Sequence, residues 1–219
     1  MANIETYDKW QDWAIRLQSL AQAGLYYTKN PYEAERYEEI RDISAQILAA
    51  HSTKTVEGVK EFFCCEVGYQ TPKLDSRAVC FNDDGKLLMV QENAGQWTLP
   101  GGWVEVDLSI ADNTIKEARE EAGAEVVPDF IICMHDWKKH VSVPASNLAN
   151  HITKVFIMCS LTAPIKFQPN NETLQCDFFA KDEIPEELAL GKTSIDQLDL
   201  CFKAHETVKS GKTWIPDFD

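Results

Sequence analysis

The chain has 219 residues, enough for one domain of ordinary size and a small extension. Its 44% hydrophobic share supports a real core, and its net charge of −14 argues against nucleic acid or an anionic membrane surface as the main partner. No apolar run approaches membrane-spanning length, and Met1-Ala2-Asn3-Ile4-Glu5 lacks the character of a signal peptide, so a cytoplasmic protein is expected.

Two helices come first. Over 8–23, Trp10, Trp13, Leu17, Leu20 and Ala21 recur at helical spacing. Over 31–50, Ala34, Tyr37, Ile40, Ile43, Ile47 and Leu48 do the same. Asn30-Pro31 separates the two, with Pro31 suited to the first helical position. Such a pair has a wide apolar face and little core of its own. It must pack on the rest of the chain or on a second copy, and a homodimer is the preferred expectation. Residues 68–72 read as a linker, dividing a helical segment, 1–68, from a main domain, 69–219.

In the main domain, strands are predicted at 76–81 and 86–91, joined by the turn cluster Asn82-Asp83-Asp84-Gly85. Further strand candidates lie at 130–135, 154–161 and 176–180, and a closing helix at 193–209. Strands interleaved with two helices predict an α/β (α+β) fold, a sandwich with helices on both sides of a mixed sheet. The seven cysteines (Cys64, Cys65, Cys80, Cys133, Cys159, Cys176 and Cys201) are odd in number and scattered, with no Cys-x-x-Cys. Reduced core thiols explain them better than disulfides or zinc.

Residues 100–123 hold the most chemically specific pattern. Pro100-Gly101-Gly102 breaks regular structure and lets the backbone approach a ligand closely. Ser109 suits a helix N-cap, with Asp112 as a short-armed capping box, and Gly123 suits a left-handed C-cap. Between these caps, at roughly 100° per residue, Glu120 and Glu121 flank Glu117 on one face. Ile110, Ala111, Thr114, Ile115, Ala118 and Ala122 form a second, mostly apolar face fit to pack on a sheet. Three carboxylates on one face repel one another, and a cation would relieve that repulsion. Oxygen ligands without His or Cys suit Mg²⁺ or Mn²⁺. A bare Glu-x-x-Glu-Glu is more often a solvated acidic face; the Gly-Gly turn and the Gly123 stop, both in register, reverse that and favour the metal.

The segment resembles a Nudix box, whose pattern is Gly, five residues, Glu, seven residues, Arg-Glu-apolar-x-Glu-Glu-x-Gly-apolar. Gly102, Glu117, Ala118, Glu120, Glu121, Gly123 and Ala124 fall on it. Leu108 stands where the first Glu belongs, and Lys116 where the Arg belongs. The stretches 71–79, 87–92 and 95–103, and the N-terminal Trp13, Leu17, Gly24 and Tyr27, resemble one bacterial branch of the superfamily, described as ADP-ribose or CDP-choline pyrophosphatases with a helical extension.

The resemblance implies metal ligation by Glu117, Glu120 and Glu121, helped by a backbone carbonyl of Gly101 or Gly102. Lys116 keeps the charge that neutralises a neighbouring glutamate but lacks the planar fork of Arg, while Leu108 removes a carboxylate that usually supports the site. Matches at Asp136, Lys139, His140 and Lys154 imply substrate contact. Lys139, Lys154 or Arg77 could pair with a phosphate, Arg77 provided its side chain faces the cleft. Glu172, in the polar loop 169–173, is the candidate for a distant general base or extra ligand. Trp97 and Trp103 flank the Gly-Gly turn and suit either base stacking or the core.

The expected activity is Mg²⁺- or Mn²⁺-dependent hydrolysis of the pyrophosphate bond of a nucleoside diphosphate joined to another group, of the CDP-choline or ADP-ribose type. Its products would be a nucleoside monophosphate and a phosphorylated partner. The acidic chain does not exclude this anionic substrate, because a bound cation inverts the local potential. Two alternatives are a sanitiser of damaged nucleoside triphosphates and a nucleotide-sensing regulator with a retired site. Leu108 and Lys116 speak for the regulator; the three retained helix glutamates and the lack of a basic DNA-binding module speak against it.

Overall fold

The computed structural model describes residues 9–64, 68–140 and 151–219. Cys65 and the opening residues 1–8 lie outside them. The chain divides into two compact units, Met1–Pro72 with Val143–His151, and Lys73–Ser142 with Ile152–Asp219.

The first unit contains α1 (Lys9–Tyr27), α2 (Pro31–Ala50) and α3 (Val56–Phe63). α1 runs through Gly24, past its expected end at 23. α2 has the expected bounds because Asn30 caps it, its side chain accepting from the Tyr32 N–H, and Pro31 takes the first turn without losing a hydrogen bond. α3 was not anticipated; Thr55 caps it by accepting from Gly58 N–H.

The helical pair leaves much of its predicted apolar face uncovered. α1 buries Gln11, Ala14, Ile15, Gln18, Ala21 and Gln22, and α2 buries Ser44, Ala45 and Leu48. Trp10, Trp13, Leu20 and Ile43 remain 46–52% exposed. The reason is the narrow seam. Ala14 and Ala45 are fully buried, and Ser44 Oγ donates to the Ala14 carbonyl at 2.7 Å. Small side chains let the two backbones come that close, and an indole on the seam would force them apart.

The second unit contains two sheets. Its elements are β1 (Lys73–Cys80), β2 (Leu87–Glu92), β3 (Trp97–Thr98), β4 (Gly101–Trp103), α4 (Ile110–Ala122), β5 (Val126–Asp136), α5 (Trp137–His140), β6 (Ile152–Leu161), β7 (Thr173–Phe179), α6 (Ile195–Lys209) and β8 (Asp217–Phe218). The larger sheet has the order β4-β1-β6-β5-β8 and the smaller β3-β2-β7. The larger sheet is mixed: β1–β6 and β5–β8 are parallel, β1–β4 and β5–β6 antiparallel.

Alternation along the strands sorts side chains into two cores. Ala78, Val155 and Ile157 pack with Ala118 and Ala122 of α4. Val79, Phe156 and Met158 pack with Leu198, Cys201 and Phe202 of α6. The two helices therefore cover opposite faces, as the sandwich reading requires. The six described cysteines are all free, with Cys80, Cys133, Cys159 and Cys201 buried. Among the described residues, no helix is long and apolar enough to cross a membrane.

Candidate active site

The site is built where α4 meets the Pro100-Gly101-Gly102 turn. Ser109 caps α4, its Oγ accepting from Asp112 N–H at 3.1 Å, and Gly123 ends it with φ 63°. The helix is thereby held in one register against β1 and β4. Glu121 Oε2 accepts from Gly101 N–H at 2.8 Å. Glu117 Oε2 lies 3.3 Å from the point a Cβ on Gly102 would occupy. Gly101, at φ 143°, has no room for a side chain: a Cβ would run into the Ser76 carbonyl and come within 2.9 Å of Arg77 Cα. Glycine at both positions lets the turn pass directly over two carboxylates.

Those carboxylates are electrostatically starved. Burial pushes the Glu121 carboxyl up to about 7, although the Gly101 N–H and Arg77 pull the other way. Burial also raises Glu117 against the pull of Lys116. Glu120 is the outer member, its side chain 59% exposed. Lys116 Nζ sits among them, 2.8 Å from Glu120, 3.2 Å from Glu117 and 3.3 Å from Glu105. It neutralises neighbouring glutamates as expected, and the Glu120 hydrogen bond leads the interactions that raise its pKa despite partial burial.

Glu105 escaped the sequence reading. It brings a carboxylate to Lys116 from three positions before Leu108, the residue that left the box one carboxylate short. Its backbone is pinned by Asn113, whose Oδ1 accepts from Glu105 N–H at 3.2 Å while its Nδ2 donates to Ser76 Oγ at 3.1 Å. The signal available was the vacancy at Leu108 itself; which acid fills it depends on how the 104–109 turn folds.

Arg77 and Lys154, read as phosphate partners, are both buried against one acid. Arg77 grips the Asp75 carboxylate with Nε and Nη2, each at 2.8 Å, and Nη1 donates to the Leu99 carbonyl at 3.1 Å. Lys154 Nζ lies 3.0 Å from Asp75 Oδ1. Burial works against the Asp75 charge, but Arg77 and Lys154 hold its carboxyl below the usual range. Burial and the Arg77 charge bring Lys154 down to about 7. Arg77 thus sits behind the Gly-Gly turn, not in an open cleft. The two tryptophans divide: Trp97 joins the core, and Trp103 is half-exposed beside Gly102.

The Glu172 loop reaches the same helix. Asn170 Nδ2 donates to the Glu120 carbonyl at 2.8 Å, Asn170 Oδ1 accepts from the Glu172 and Thr173 N–H groups, and Thr173 Oγ1 donates to the Glu121 carbonyl at 3.0 Å. The loop is stitched to the last turn of α4, with Glu172 exposed on it. Asp136, Lys139 and His140 lie elsewhere, at the end of β5 and in α5.

Among the described residues no three acidic, His or Cys side chains converge into a ready cation site; the Lys116 ammonium occupies the space between Glu117 and Glu120 instead. The donor set nevertheless fits a hard divalent ion. Glu117, Glu120 and Glu121 offer only oxygen, the first two lean on a lysine for charge, and the bare Cα of Gly102 leaves an open approach to Glu117.

Residues 72–198 match the NUDIX domain family, and residues 8–63 match the UDP-X-like, N-terminal oligomerisation domain. The chain belongs to the Nudix family and is a pyrophosphohydrolase. It is 36% identical over 199 residues to the Bacillus subtilis (strain 168) protein YjhB, named as a candidate ADP-ribose pyrophosphatase, covering 91% of this chain and 93% of that one. A solved ADP-ribose pyrophosphatase from Streptococcus suis is 44% identical with a TM-score of 0.59, over 68% of this chain and 100% of the other. A solved UDP-X diphosphatase aligns over 96% of this chain and 98% of its own, with 27% identity and a TM-score of 0.59.

Proposed function

We propose that the protein hydrolyses the pyrophosphate bond of a nucleoside diphosphate linked to a second moiety, with ADP-ribose first among the substrates and CDP-choline next. The observation that carries this is the approach of Glu117 and Glu121 to the Gly101-Gly102 turn. The names of the Bacillus and Streptococcus relatives support ADP-ribose. Glu117, Glu120 and Glu121, with a carbonyl of Gly101 or Gly102, would hold Mg²⁺ or Mn²⁺. The bound cation would neutralise charge building on the diphosphate oxygens.

The chain's own residues supply the rest. Lys116 and Glu105 keep the acidic ridge in place. Arg77, braced by Asp75, fixes the turn by holding the Leu99 carbonyl. Glu172 is the candidate to take a proton from the attacking water. Asp136, Lys139 and His140 are the candidate contacts for the far half of the substrate. The exposed Trp10, Trp13 and Leu20 support a dimerisation role for the helical unit, and the free buried thiols suit a cytoplasmic setting.

A Mg²⁺-supplemented turnover panel tests the reading, with ADP-ribose, CDP-choline, UDP-linked sugars and oxidised nucleoside triphosphates as substrates. Release of AMP and a phosphorylated ribose from ADP-ribose is expected. Preference for oxidised triphosphates would replace the reading with the sanitiser. Tight nucleotide binding with no turnover of any substrate would replace it with the regulator.

A further inference from the structure

The corner formed by the end of β5 and α5 closes around a carboxylate of the same chain. Asp219 Oδ1 accepts the Asp136 N–H at 2.8 Å. Asp219 Oδ2 lies 2.9 Å from His140 Nε2 and 3.7 Å from Lys139 Nζ. Asp136 turns its own carboxylate away, accepting from Lys138 N–H at 3.1 Å. The His140 ring lies flat on His135, centroids 3.8 Å apart and planes 7° from parallel. His135 is in turn buried, held by Asp217 at 3.0 Å and Gln197 at 3.4 Å. One backbone N–H, one ammonium and one braced imidazole therefore converge on a single anionic group. Burial opposes the charge of Asp219, yet the Asp136 N–H, His140 and Lys139 hold its carboxyl below the ordinary range.

The corner also ends a cross-strand row on the α6 face of the sheet, which starts at Trp103 beside Gly102, while α4 and its glutamates pack on the opposite face. Cross-strand partners run Trp103 to Asp75, Asp75 to Lys154 and Lys154 to His135. Directly paired residues project from the same side of a sheet, so these four lie in one line on one face. Three strand spacings separate its ends, about 14 Å. A ligand reaching from Trp103 to the corner must be longer than a diphosphate alone.

We propose that Asp136 N–H, Lys139 and His140 form a binding site for a phosphate-type oxyanion, and that Asp219 is its internal occupant, so that the end of β8 competes with the ligand. A tethered carboxylate acts at a high effective concentration and weakens binding without touching the chemistry. Two sources of the oxyanion fit this geometry: a charged group on the far half of the substrate, or free phosphate.

The test is Asp219→Asn in the full chain. This variant keeps the Asp217–His135 contact and the Trp214 Nε1 bond to the Ile132 carbonyl at 2.9 Å, so β8 stays anchored. Histidine side-chain NMR is followed during titration with inorganic phosphate in the presence of a chelator, which keeps phosphate from gathering at the glutamates. The His140 signal of the variant should saturate at a phosphate concentration about tenfold below that of the wild type. Adding Lys139→Ala should abolish that gain. A His140 signal no more responsive in Asp219→Asn than in the wild type overturns the proposal and leaves the corner as an anchor for β8. Melting of both variants by calorimetry checks that they fold; if Asp219→Asn unfolds, Asp219→Ser with the same titration takes its place.

This binding arm needs no turnover and survives a failure of the hydrolase reading. The second arm rests on that reading. For substrates whose far half carries a phosphate or carboxylate, Asp219→Asn should lower KM several-fold with kcat unchanged, while uncharged far halves show no change. That split identifies the substrate as the source of the oxyanion; a uniform KM, with phosphate binding intact, identifies free phosphate.

Discussion

α1 and α4 are both amphipathic helices, and their apolar faces met opposite fates. α4 buries Ala118 and Ala122 against the sheet and turns Glu117 and Glu121 toward the glycine turn, with Glu120 outside them on Lys116. α1 buries a seam of Ala and Gln and leaves Trp10, Trp13 and Leu20 at the surface. In α4 the large side chains come from the sheet, so the helix supplies small ones, and its polar face is free to carry chemistry. In α1 the neighbour is another helix at close range, so its small residues face that helix and its large ones do not. Periodicity marks an amphipathic helix; it does not say which stripe meets the neighbour within the same chain.

The largest effect that sharpens this contrast is Glu121→Gln. If the polar face of α4 is the working face, turnover falls on the order of a hundredfold or more, as when a main electrostatic contact of a site is removed. Metal-free stability moves the other way. The folded pKa of Glu121, about 7, lies above its ordinary value of 4.5. Below that ordinary value the group is neutral in both states and contributes nothing. As pH rises from about 4.5 to 7 the native state resists ionisation, and stability is lost, by roughly 3 kcal/mol in full. Gln abolishes that loss and still accepts from Gly101 N–H. Chelated Glu121→Gln should therefore melt above the wild type at pH 8 and level with it near pH 4.5. A wild-type turnover rate, or the same melting difference at both pH values, would contradict the assigned environment.

Next in size is Ala14→Leu. Ala14 is fully buried on the seam and its carbonyl takes the Ser44 hydroxyl. Extra methylenes there push α1 and α2 apart, at a cost of about 1–3 kcal/mol in denaturant unfolding. An unchanged midpoint would mean that the seam is looser than its geometry implies. Ser109→Ala should cost about 1 kcal/mol, the usual value of an N-cap. Because the cap fixes the start of α4, this variant should lower activity less than Glu121→Gln does. A loss of activity as large as that of Glu121→Gln would show that the helix register, not the carboxylate, was being measured.

These two helices also show where sequence reading succeeds. The α4 site was legible because its caps, its glutamates and its glycine turn all lie within 24 residues of one another in local order, and each cap satisfies its own backbone. α2 was legible for the same reason, with Asn30 and Pro31 at its start. What escaped depends on pairing across long stretches of chain. β3 and β4 are two and three residues long and exist only through their ladders with β2 and β1. The burial of Arg77 rests on Lys154 standing opposite Asp75, a register set by the β1–β6 ladder. Nothing near Asp136 announces that residue 219 will lie on it. Trp97 and Trp103 read alike in sequence, and only their strands send one inward and leave the other half outside.

The smallest expected change in protomer stability belongs to Trp13→Glu with Leu20→Glu, and it decides what the outer face of α1 is for. Both residues are about half exposed, and exposed substitutions usually fall within about 0.5 kcal/mol. A face kept apolar for a second copy behaves differently at the level of mass. Two glutamates per chain placed across such an interface would bury unpaired charge, which association does not tolerate. Light scattering should therefore find a dimer for the wild type and a single chain for the double variant. The melting temperature of the wild type should rise with protein concentration, as binding between folded copies requires. That of the variant should stay flat and meet the wild type at the dilute limit. A wild type that scatters as one chain, or a variant that stays dimeric, would put the α1 tryptophans outside any interface, and the contrast between the two helices would then reduce to the width of the seam each one packs into.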